Sequence, residues 1–148
     1  DQPIYFATAR IWDEEFKERV KRHQARRGDN WTNIEEEKYL SHHTIYNKVC
    51  VVDCITLWCT NFFFDANQNN PKEPVIDEAL DAIKKEFDQF TAQDATFIFV
   101  TNEIGSGGVS DNVVQRRFTD MEGWMNQYVA SKADEVVLMV SGIPVKIK

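Results

Sequence analysis

No lysine in this 148-residue sequence follows a glycine, so the GK[ST] signature of a phosphate loop is missing from it. No apolar run reaches membrane-spanning length, and the first residues lack the basic-then-apolar order of a signal peptide; the expectation is a soluble, cytoplasmic protein. Basic residues are outnumbered 17 to 24, and the formal net charge of −7 argues against a general binder of nucleic acid or of anionic membranes. Any anionic ligand must therefore meet a local basic cluster. The three cysteines, Cys50, Cys54 and Cys59, are odd in number and contain no CxxC pair, which reads as small buried apolar residues rather than a disulfide or zinc framework. No internal repeat or low-complexity segment interrupts the chain, and its length suits a single domain over residues 1–148.

What is present centres on residues 49–56, VCVVDCIT, a short β-branched run with one carboxylate, Asp53, near its end. A run that is apolar on both faces is typical of a central parallel strand, and an acid at its C-terminal end sits where α/β sheets bind ligands. On the strand alone, Asp53 reads equally as a turn residue. Earlier in the chain, Ile4, Tyr5 and Phe6 are strand-like and run into the small turn Ala7, Thr8, Ala9, where backbone can approach a ligand and the Thr8 hydroxyl can bond to it.

Asp13 is a predicted N-cap, with Glu14 and Glu15 in the first turn of a helix that extends to about Arg27. Phe16, Val20 and His23 fall at i, i+4 and i+7, which puts His23 along the edge of the packing face. Arg19, Arg22 and Arg26 surround it. Guanidinium groups favour the neutral, nucleophilic imidazole and attract phosphate oxygens; the plainer reading is a solvated basic face near a helix C-terminus.

Residues 31–34 read as a brief extended segment, and Glu35, Glu36 and Glu37 as the opening of a short helix through Leu40. His42 and His43 have no carboxylate or cysteine at ligand spacing and read as surface residues. A helix over 56–65, a loop over 66–74, an amphipathic helix over 77–90 and a strand over 95–101 follow. The last of these ends in Asn102 and Glu103, a second acid at the same edge as Asp53. A glycine-rich stretch at Gly105, Gly107 and Gly108, a helix over 111–132 and two final strands over 135–141 and 143–148 complete the chain. Alternating strands and helices give an α/β fold with a mostly parallel sheet.

Taken together, the ATA turn, RVKRHQARRGDNW, VVDCITLWCTN, VTNEIGSGGVSDN and the closing VSGIPVKIK resemble the bifunctional adenosylcobinamide kinase and adenosylcobinamide-phosphate guanylyltransferase family of cobalamin biosynthesis. The resemblance implies a P-loop NTPase-like three-layer fold and a homotrimer. It also implies two reactions: phosphorylation of adenosylcobinamide from ATP or GTP, then transfer of GMP from GTP to the resulting phosphate. It makes His23 the residue that takes GMP covalently. It assigns nucleotide contacts to Ala7, Thr8, Ala9, Gln24, Ala25, Arg26, Arg27, Glu35 and Asp53, with Arg19, Arg22 and Glu103 supporting the phosphates or Mg²⁺, and Mg²⁺ itself near Asp53. The family's phosphate loop lies one strand–loop–helix unit before the ATA strand, so an N-terminal unit is expected beyond the residues shown. A non-catalytic guanine-nucleotide-binding module and a plain phosphate-loop kinase of a small alcohol are the alternatives.

Overall fold

The computed structural model describes residues 2–148. Its frame is a four-stranded sheet in the order β2-β1-β3-β4, built from β1 (Ile4–Ala7), β2 (Thr32–Glu35), β3 (Val49–Asp53) and β4 (Thr96–Val100), with every neighbouring pair parallel. Parallel neighbours need crossovers, and helices supply them. The helices are α1 (Glu14–Arg27), α2 (Ile55–Ala66), α3 (Asp77–Thr91) and α4 (Val113–Lys132).

The chain leaves β1 in one direction to reach β2 and later passes to the other side of β1 to lay down β3 and β4. Right-handed crossovers then put helices on opposite faces. One face carries Ile4, Phe6, Cys50 and Val52, which join residues of α2, α3 and α4 in the main core. Phe90 is central there, edge-on to both Phe6 and Phe97 at centroid distances of 5.3 and 5.1 Å. The other face carries Tyr5, Asn33 and Val51 in one row and Ala7, Glu35 and Asp53 in the next. Helix α1 approaches it through Gln24 and Arg27.

Helix α1 starts where the sequence places it, the Asp13 carboxylate accepting from Phe16 N at 2.7 Å. It contains no buried residue, however, and His23 is exposed; Phe16 and Val20 are only half-buried, so the face they define is shallow. Of the aromatics in α2, Trp58, Phe62 and Phe63 are buried in the main core, and Phe64 rests edge-on against Trp12. All three cysteines are buried free thiols.

Two expectations are corrected. The run Glu35, Glu36, Glu37 does not begin a helix: Glu35 ends β2, Glu36 N donates to Ala7 O at 3.0 Å, and a short 3₁₀ turn follows only at Leu40–His42. Sheet pairing takes the backbone that a helix would need. The last two strands, β5 (Val137–Val140) and β6 (Ile143–Lys146), do not join the sheet but pair with each other in an antiparallel hairpin. Ser141 and Gly142 both take positive φ, 51° and 77°, the signature of a two-residue hairpin turn of the primed type.

Candidate active site

Strand order reverses at β1, and open α/β sheets hold ligands in the crevice beyond the strand ends at such a point. Here the crevice lies between the ends of β1 and β3. The register aligns Glu35, Ala7, Asp53 and Val100 in its last row, so one carboxylate stands on each side of Ala7.

Thr8 closes the floor of this crevice. Its hydroxyl donates to Cys54 O at 2.8 Å and accepts from Cys54 N at 2.9 Å, while its own N–H donates to Asp53 O at 3.1 Å. The Asp53–Cys54 peptide is cis, and Thr8 grips it from both ends. The Thr8 carbonyl accepts from Asn61 Nδ2 at 2.7 Å. Thr8 is 0 % exposed, so its hydroxyl is not presented to a ligand as the sequence suggested. Its part is to lock the two strand ends together.

The Asp53 carboxylate accepts a short hydrogen bond from the Tyr5 hydroxyl. Burial, reinforced by that bond, pushes the Tyr5 phenol far above its ordinary range, so Tyr5 is a fixed donor at all physiological pH. The Arg27 guanidinium lies over the Tyr5 ring at 3.7 Å, a cation–π contact, and its Nε donates to Asn33 Oδ1 at 3.0 Å. Trp31 meets the same ring edge-on at 5.8 Å. Tyr5 is thus the centre of a small network that sequence reasoning passed over. Its place in the run Ile4, Tyr5, Phe6 gave no sign that its polar end would meet the end of the neighbouring strand.

Helix α1 runs back from the strand ends, and Gln24 Nε2 donates to Glu35 Oε1 at 2.7 Å. That bond ties the helix to the last row of the sheet. His23 precedes Gln24 and shares a helical face with Arg19 and Arg27, at i−4 and i+4. The imidazole is therefore exposed at the level of the strand ends, one turn from the guanidinium that covers Tyr5. Arg19, Arg22, Ala25 and Arg26 are exposed on the same helix, and Ala9 is half-buried after the turn.

Glu103 stands on the turn after β4, exposed, its Oε1 accepting from Gly105 N at 3.0 Å. The structure thus groups Tyr5, Gln24, Arg27, Glu35 and Asp53 directly; it leaves the other arginines and Glu103 on the rim. Among the described residues no three His, Cys, Asp or Glu side chains cluster as a metal cage. Among the described residues, no helix is long and apolar enough to cross a membrane.

Comparison with known proteins gives a concordant result. Residues 1–147 match the family described as cobinamide kinase / cobinamide phosphate guanyltransferase. A bifunctional adenosylcobalamin biosynthesis protein of Escherichia coli (strain K12) is 36 % identical over 156 residues, covering 99 % of this chain and 86 % of the relative. One from Salmonella typhimurium is 35 % identical over the same shares. A third, from Pseudomonas aeruginosa, is 30 % identical over 97 % of this chain and 81 % of its own length.

Proposed function

The chain belongs to the cobinamide kinase / cobinamide phosphate guanyltransferase family, and from that premise we propose that it transfers GMP from GTP to adenosylcobinamide phosphate through a guanylylated His23 and shares in the phosphorylation that precedes it. The observation that carries the site assignment is the Gln24–Glu35 bond, because it holds the neighbouring His23 at the strand ends beside the reversal point of the sheet.

The chemistry runs in two displacements. The neutral imidazole of His23 attacks the α-phosphorus of GTP; an N–P bond forms as the P–O bond to pyrophosphate breaks. A phosphate oxygen of the second substrate then attacks the same phosphorus, the N–P bond breaks, and the imidazole is free again. Arg27, braced on Tyr5, and the exposed Arg19, Arg22 and Arg26 neutralise charge developing on the phosphoryl oxygens. Ala7 and Ala9 have side chains small enough for a nucleotide to come close, and Glu35 and Asp53 flank Ala7 on its two neighbouring strands. When bound, Mg²⁺ beside Asp53 would neutralise the triphosphate and orient it.

Residues 1–148 form one nucleotide-binding α/β unit in this reading. They hold no phosphate-loop lysine, and the guanylyl transfer is the part of the reading that their own side chains carry. The apolar side chains left exposed on the β5–β6 hairpin, Leu138, Met139 and Ile143 among them, suit burial against another chain, and the homotrimer that the resemblance implies would provide one. The substrates of this reading place the protein in the cytoplasm.

The test is an intact-mass spectrum after incubation with GTP and Mg²⁺. The protein should gain one GMP unit, and the His23→Ala variant should gain none. A folded protein that binds GTP without any adduct would overturn the covalent route.

A further inference from the structure

One acid is used by none of this chemistry. Glu122, in the middle of α4, is 0 % exposed and, among the described residues, has no cationic partner. Its Oε2 is buried without any hydrogen bond. Its Oε1 is the meeting point of three elements: it accepts from Thr56 Oγ1 in α2 at 3.1 Å and from Asn126 Nδ2 in α4 at 3.0 Å, and lies 3.3 Å from the Thr101 hydroxyl just past β4.

Each of those partners reaches on to the turn that carries Glu103. The Thr56 hydroxyl, donating to Glu122, accepts from both Asn102 N at 3.2 Å and Asn102 Nδ2 at 3.1 Å. Asn126 Nδ2 also donates to Asn102 O at 3.2 Å, and Asn126 Oδ1 accepts from Thr101 at 2.5 Å. Both backbone groups of Asn102 and its side chain are therefore satisfied by residues that Glu122 orients. A hydroxyl has one proton, and spending it on Glu122 leaves the Thr56 oxygen facing Asn102 as an acceptor.

We infer that Glu122 is a positioning residue, the buried anchor that fixes the turn over residues 101–103 and so sets where Glu103 stands at the rim of the active site. The inference rests on the proposed reading, and adds to it the role that the family resemblance implies for Glu103, support of the nucleotide phosphates or their Mg²⁺. Burial raises the affinity of Glu122 for its proton, with the Asn126, Thr56 and Thr101 bonds opposing, and the neighbouring Glu103 charge adds to the rise. On α2, the buried Cys59 faces the same carboxyl. A neutral acid still offers Oε1 as an acceptor, so the anchor does not require the charge.

The anchor makes a prediction that bulk stability does not. In the purified protein, Glu122→Gln keeps the acceptor and should retain guanylyl transfer within about twofold. Glu122→Leu, or the milder Thr101→Val should the leucine variant not fold, should lower kcat about tenfold while the GTP KM stays within about threefold. In a Glu103→Gln background the same change should have little further effect, because the group it positions is already gone. Effects that multiply in the double variant, or a glutamine variant as damaged as the leucine one, would overturn the anchor. Full activity in Glu103→Gln alone would instead overturn the placement of Glu103 in the site, and with it this use of Glu122.

Discussion

The two faces of the sheet share the same strands and differ in almost everything else. On one, Phe6, Cys50 and Val52 pack with Phe90, Trp58 and Met125 in a closed apolar core. On the other, Tyr5, Asn33, Glu35 and Asp53 meet one amphipathic helix that buries nothing of its own. Because strand side chains alternate, both sets come from the same few residues: Ile4 and Phe6 face inward, Tyr5 and Ala7 outward. The packed face makes the strand ends rigid; the open face uses that rigidity to hold charged groups where a ligand arrives. Stability and chemistry are therefore separable, residue by neighbouring residue.

The largest effect should come from breaking the packed face. Phe90 of α3 is fully buried and meets the rings of Phe6 in β1 and of Phe97 and Phe99 in β4, so Phe90→Ala should cost about 3–5 kcal/mol of unfolding free energy, read by urea denaturation. Variant that remains folded, it should still take up GMP. On the open face the pattern should invert. Tyr5→Phe removes only the hydroxyl that holds Asp53, and should reduce kcat about tenfold, about 1.4 kcal/mol, with the denaturation midpoint almost unmoved. A large loss of stability without loss of rate would show that Tyr5 belongs to the frame.

The smallest effect tests the join between the faces. Arg10, on the loop after β1, makes paired bonds of 2.7 and 3.0 Å to Asp65 in α2 and a third of 2.8 Å to Glu37; Lys38 adds 3.2 Å to Asp65. The Arg10 bond, helped by Lys38 and opposed by burial, holds the Asp65 carboxyl below its ordinary range. A carboxyl depressed by folding adds stability above its unfolded value near pH 4, and loses it as pH falls through the folded value. Asp65→Asn should therefore cost on the order of 1 kcal/mol at pH 7, after discounting for solvent, and progressively less as the pH falls below about 4. Thermal melts across that range check both the size and the sign.

Much of this frame was legible in the sequence. The β-branched run around Asp53 and the capped helix after Asp13 announced themselves by pattern, and both stand where that pattern put them. Two features were harder to read. Three successive glutamates look like a helix start, yet Glu35 belongs to β2 because its neighbour's N–H pairs with Ala7, a contact across 29 residues that local sequence does not carry. The final strands were recognisable as strands, but whether they extend the sheet or pair with each other depends on the Ser141–Gly142 turn. At the candidate site, Asp53 was named from its place on a strand and Gln24 and Glu35 only through the family resemblance, while Tyr5 was hidden in an apolar run and Glu122 in a helix with an ordinary charge pattern.

The last row of the sheet also acts as a ruler. Glu35 and Asp53 are separated by a single intervening strand, so their backbones lie about 9.5 Å apart, two strand spacings. An Mg²⁺ ion reaches its oxygens at about 2.1 Å and spans only about 4 Å between opposite ligands. Glu35 is engaged by Gln24 and Asp53 by Tyr5, so in the proposed reading the two carboxylates would meet different parts of whatever lies across Ala7. On the proposed reading, strand spacing divides recognition into two stations, and swapping an acid from one strand to the other should not conserve function even though the total charge is unchanged.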